Sequence, residues 1–143
     1  LAGDSDDILV GSTTTDAYGK YLFEHLPNGD FVHLNGGRIA TELQTQHWIK
    51  EAESRGAGEI LLTSMDKDGT KSGFDNVLLK EINEMVSIPV IASGGAGSAQ
   101  DFIDVFQESN IDAALAASVF HYGDILIPEL KALLKSNQIE IRI

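Results

Sequence analysis

The stretch Ile88-Pro89-Val90-Ile91-Ala92-Ser93-Gly94-Gly95-Ala96-Gly97-Ser98 decides the fold. Its first part is a short apolar run opened by Pro89, too short for a helix, and it reads as a strand over Pro89 to Ala92 buried on both faces. Its second part places three glycines in four positions, Gly94 to Gly97, ahead of a helical pattern that begins near Ala99. Glycine turns tightly and leaves N–H groups bare, and a helix N-terminus adds positive potential. The segment therefore suits an anion such as phosphate, plain chain reversal being the other use of such a turn.

The same grammar recurs on both sides. Upstream, Ile60-Leu61-Leu62-Thr63 reads as a buried strand, and a helix follows from about Asn76 to Val86. Downstream, a helix from Ala99 to Glu108 leads to the strand Ala113 to Ala116, the turn Ala116-Ala117-Ser118-Val119-Phe120 suits a short extra helix, and a final helix covers Asp124 to Lys135. Strands alternating with helices in this way form βαβ units around a parallel sheet, so the class is α/β. Nearer the N-terminus, Ile8 to Val10 reads as a first strand. Lys20 to His25 and Asp30 to Leu34 flank Pro27-Asn28-Gly29-Asp30 and predict an exposed β-hairpin inserted after it. From Thr41 the pattern turns helical through Leu43, His47, Trp48 and Ala52, closed by Gly56 and Gly58.

Four strands end on a small hydroxyl residue, at Gly11-Ser12, Thr63-Ser64, Ala92-Ser93 and Ala117-Ser118. Ligands of α/β sheets and barrels bind at such C-terminal strand ends, where small residues let them approach the backbone. The most polar loop, Met65 to Gly73, follows the strand at Leu62. Its Gly69, Asp68 and Thr70 suit the hydroxyls and phosphate of a phosphosugar, and Asp68 could equally cap the turn. Ser64 and Ser93 are placed to line the same ligand. Asp66 and Asp68 lack a further ligand at metal spacing, and His25, His33, His47 and His121 lie on separate segments, so no metal is expected. No cofactor is expected either.

Composition narrows the partners. The chain has 143 residues, 43% of them hydrophobic, enough for one domain with a real core. With 22 Asp and Glu against 10 Lys and Arg the net charge is −12, which argues against nucleic acid and anionic membranes. An anion site must then lean on backbone N–H groups more than on cationic side chains. There is no Cys, and no apolar run approaches the roughly 20 residues of a membrane span; a cytoplasmic protein is expected. A start at Leu1 points to a processed or truncated product.

These segments resemble a known family. Arg55 to Asp75, Ile88 to Gly97, Ala113 to His121 and the ending Ile139-Glu140-Ile141-Arg142 look like the sixth, seventh and eighth strand regions and C-terminus of HisF, the cyclase subunit of imidazole glycerol phosphate synthase. The resemblance is strong over residues 38–143 and weak over 1–37. The wording around Gly56 to Asp66 favours HisF over the related HisA-type isomerase. The resemblance implies the C-terminal half of a TIM (β/α)₈ barrel, strands five to eight, forming a single half-barrel domain over 1–143. It implies a lyase of histidine biosynthesis, in which ammonia from a glutaminase partner, HisH, converts the nucleotide PRFAR to imidazole glycerol phosphate and an aminoimidazole carboxamide ribotide. By motif match one substrate phosphate would lie on Asp68, Gly69, Gly94, Gly95, Ala117 and Ser118.

The chain also departs from the family. The Asp expected at the end of the fifth strand is replaced in Val10-Gly11-Ser12-Thr13 by Thr13, and the first strand with its Asp is absent. A Thr hydroxyl does not exchange protons near neutral pH as a carboxylate does. Whether the chain is an enzyme on its own therefore stays open. Four βα units also leave sheet edges uncovered. A separate N-terminal half-barrel, a second copy of the chain, or rearrangement into a doubly wound sheet would cover them, the second copy giving a catalytically silent phosphate-binding assembly.

Overall fold

In the computed structural model, residues 20–25, 31–34 and 38–142 are described, side chains in 20–25 and at Leu34 excepted. The elements run β1 (Lys20–His25), β2 (Phe31–Leu34), β3 (Ile39–Gln44), α1 (Thr45–Ser54), β4 (Glu59–Ser64), α2 (Asn76–Met85), β5 (Val90–Ser93), α3 (Ala99–Ser109), β6 (Ala113–Leu115), α4 (Ser118–His121) and α5 (Ile127–Ser136). They form one six-stranded sheet in the order β3-β2-β1-β4-β5-β6. From β1 to β6 the strands are parallel, with Ile60 beside Val90 and Ile91 beside Ala113, so the fold is α/β around a parallel sheet.

Alternation explains the central strands. Along β4, Ile60, Leu62 and Ser64 are buried while Glu59, Leu61 and Thr63 are half-buried, the two-residue period of a strand covered mainly on one face. The helices answer with apolar stripes: Leu78, Leu79 and Ile82 on α2, Phe102, Ile103 and Val105 on α3, Leu130 and Leu134 on α5. Asp75 caps α2 by accepting the Leu78 N–H at 3.3 Å. Asn110 ends α3 in the left-handed conformation, φ 53°, that Asn tolerates. Phe102 binds the layers together, meeting Phe74 edge-on at 5.3 Å between ring centres and Phe120 of α4 at 5.6 Å.

Two expectations are corrected. The chain from Ile39 to Gln44 is a strand, and helix α1 starts only at Thr45. Thr41 and Leu43 are its less exposed positions, and Thr41 Oγ1 donates to the Val32 carbonyl at 2.6 Å, so pairing with β2 overrides the helical spacing. The hairpin is also more than an exposed insertion. β1 does run antiparallel to β2, but it pairs in parallel with β4 from Lys20–Glu59 to His25–Ser64 and takes an interior place. An uncovered β4 edge would leave a row of unpaired backbone groups, and β1 satisfies them. The expected strand Ile8 to Val10, Thr13 and the Asn28-Gly29 turn lie outside the described residues.

Candidate functional site: a glycine-walled cleft

Parallel register brings Ser64, Ser93 and Leu115 to one rim of the sheet. There a cleft of about 220 Å³ opens, lined by Asp68, Gly69, Lys71, Ser93, Gly94, Gly95, Ala96 and residues 115–118. All six residues matched to a phosphate site by sequence, Asp68, Gly69, Gly94, Gly95, Ala117 and Ser118, fall on it, with Ser93.

Two loops wall the cleft and are locked together. The Gly73 N–H donates to the Gly95 carbonyl at 2.9 Å. Gly95 has φ +104°, and a Cβ there would run into the Gly73 carbonyl oxygen. Gly94 has φ +90°, with its Cβ position 2.8 Å from the Ser64 carbonyl oxygen. Glycine is thus required at 94 and 95 for both backbone angle and room.

The amides sort into spent and free. Ser64 O accepts the N–H groups of Lys67 at 3.2 Å and Asp68 at 2.9 Å, so the Asp68 amide is already spent. The amides of Gly69 and Gly95 have no hydrogen bond among the described residues. The short helix expected after the last strand is present as α4. The Ala117 carbonyl accepts from Phe120 and His121, while Ser118 and Val119 stand in the first turn, where N–H groups have no acceptor within the helix.

The N-terminus of α3 departs from expectation. Asp101 Oδ2 accepts the N–H of Gly97 at 2.8 Å and of Ser98 at 2.7 Å, so the helix end already holds a carboxylate of the chain itself. The signal was the Ser98-to-Asp101 spacing of a capping box. Two further expected residues stand off the cleft. Ser64 is buried and donates to Asp75 Oδ2 at 3.0 Å, a bond that ties β4 to the start of α2. Thr70 donates to the Lys67 carbonyl at 2.7 Å and lies 2.8 Å from the Ser72 hydroxyl, shaping the loop. Sequence reasoning missed Lys71 and Leu115 as cleft residues.

Other candidates separate. Trp48 is buried, with the Arg55 guanidinium 5.6 Å from its ring centre; His47 and His121 are exposed. Among the described residues no three His, Cys, Asp or Glu side chains group as a metal site, and no helix is long and apolar enough to cross a membrane.

A parallel sheet whose strand ends open into a glycine-walled cleft places the protein in the α/β class, and the chain belongs to the family described as histidine biosynthesis protein, whose model matches residues 7–126. Within it the similarity is to HisF. The chain is 58% identical over 117 residues to the imidazole glycerol phosphate synthase subunit HisF of Flavobacterium psychrophilum, covering 81% of the chain and 47% of the relative. It is 56% identical over 112 residues to HisF of Flavobacterium johnsoniae, covering 78% and 45%. Against HisF of Cytophaga hutchinsonii it is 57% identical over 113 residues, covering 79% and 45%. The chain thus spans about half the length of these relatives.

Proposed function

We propose that the chain is the C-terminal half of a (β/α)₈ barrel, a single half-barrel domain over 1–143, and holds one phosphate of PRFAR or imidazole glycerol phosphate as part of a synthase cyclase subunit. The observation that carries this reading is the convergence of the six motif-matched residues on one cleft. The amides of Gly69, Gly95 and Ser118 would donate to phosphate oxygens, and charge-assisted bonds of this kind contribute about 1.5–3 kcal/mol each. That arrangement eases the charge problem of an acidic chain, since backbone dipoles supply positive potential where cationic side chains are few. Ser93 would bond the glycerol or ribose portion. With Thr13 at the fifth-strand acid position, proton transfer would fall to carboxylates of the other half-barrel, and ammonia to a HisH-type glutaminase docked on the complete barrel.

Calorimetric titration of the wild-type chain and Gly95→Asp with imidazole glycerol phosphate tests the reading. Wild type should bind and the variant should not; equal affinity would remove the site. An ammonia-dependent PRFAR turnover assay on the chain alone should give no product.

A second reading, a silent half-barrel that closes with its own copy, is favoured by the edge position of β6. Leu115 is 44% exposed there and Leu126 53% exposed just beyond α4. Light scattering at twice the chain mass would support it, and PRFAR turnover by the chain alone would sink it.

A further inference from the structure

We propose that Lys71 supplies the cationic charge of the phosphate cleft, and that Asp124 holds its ammonium in reserve until the ligand displaces it. The inference rests on the phosphate reading of the cleft. Among the described residues lining that cleft Lys71 is the only cation, and Asp68 the only carboxylate. An anion approaching a chain of net charge −12 meets repulsion, which a single well-placed ammonium can locally offset.

The backbone fixes where that ammonium can go. Lys71 has φ +55°, an uncommon angle for a residue with a side chain, and such outliers persist where the surroundings hold them. Its carbonyl is packed so closely on Gly97 that no Cβ would fit there, so the loop root is pinned against the glycine segment. From this anchor Nζ lies 2.9 Å from Asp124 Oδ2, in the segment between α4 and α5. Both side chains are about half exposed, at 50% and 44%, so water screens the pair and little holds it together. A phosphate seated on the amides of Gly95 and Ser118 carries more charge than one carboxylate, and Lys71 already lines the space it would fill. Filling the cleft therefore transfers the ammonium from Asp124 to phosphate, and Asp124 acts as its competitor.

Competition has a signature that simple structural support lacks: removing Asp124 improves binding, and only while Lys71 is present. The full chain, with Lys71→Met, Lys71→Arg, Asp124→Asn and the double variant Lys71→Met/Asp124→Asn, is titrated with imidazole glycerol phosphate and with inorganic phosphate. Lys71→Met should bind about tenfold more weakly, and Lys71→Arg should stay within about threefold of wild type. Asp124→Asn should bind about two- to fivefold more tightly, and the double variant should match Lys71→Met. Wild-type affinity in Lys71→Met, unchanged or weaker binding in Asp124→Asn, or tightening by Asp124→Asn in the Lys71→Met background would each overturn the inference. If wild type binds and Gly95→Asp does not, such a result removes the role of Lys71 and leaves the site. If wild type binds neither ligand, both fall. Both side chains are exposed, so equal urea midpoints will check that every variant folds.

Discussion

The Gly73 amide donates to the Gly95 carbonyl at 2.9 Å, and this contact joins the loop after β4 to the loop after β5. It also leaves no room for a side chain at 95. Gly95→Ala should lower stability by about 2–4 kcal/mol, the sum of a left-handed angle and an overpacked contact, and should abolish phosphate binding. Gly69 has φ +75° but open space around its Cβ position. Gly69→Ala should therefore cost only about 1 kcal/mol. Urea denaturation of both variants checks the contrast.

Packing behind the cleft should tune it. Phe102 supports Phe120 on α4, whose first residue, Ser118, lines the cleft. Phe102→Leu removes the ring contacts with Phe74 and Phe120 and should destabilise by about 1–2 kcal/mol. It should also weaken imidazole glycerol phosphate binding several-fold, since α4 loses its backing. Unchanged affinity in a destabilised variant would show α4 to be held from elsewhere.

Asp75 serves two elements, accepting the Ser64 hydroxyl with one oxygen and the Leu78 amide with the other. Asp75→Ala loses the α2 cap and strands a buried hydroxyl, a combined cost of about 2–4 kcal/mol. Ser64→Ala removes the hydroxyl with its bond and should cost far less. Chemical denaturation of the pair checks the order.

Ser87 offers Glu53 both its hydroxyl, at 2.6 Å, and its N–H, at 2.7 Å. The side-chain bond first and the backbone bond second hold the Glu53 carboxyl below its ordinary value of 4.5. A depressed folded value means that this stabilisation is present above the unfolded value and is lost as pH falls through the folded one. Glu53→Gln should therefore flatten the acid limb of the stability curve below pH 4.5. Urea midpoints for wild type and variant across that range are the test, and parallel curves would exclude the link.

The alternation of strands and helices was legible because its signals are local. The run ending at Ser93 carries its own apolar core and glycine stop, and β5 occupies Val90–Ser93 within a residue of expectation. Residues 41–44 were misread because Thr41 and Leu43 suit either period, and the deciding partner, β2, is supplied by tertiary pairing. Cleft residues with glycine or a strand-end hydroxyl were readable, since backbone freedom is written in residue type. Lys71 was not, because its partner Asp124 is 53 positions away and nothing in either segment alone brings them together.

Asp101, seated on the amides of Gly97 and Ser98, has a consequence for selectivity. The positive end of α3 is permanently occupied by a tethered anion, so chloride or a stray carboxylate gains nothing by settling there. On the phosphate reading, the ligand meets the amides of Gly69, Gly95 and Ser118 on three loops, and a tetrahedral oxyanion has several oxygens with which to accept from them. Asp101 thus takes the end of α3 out of the proposed site.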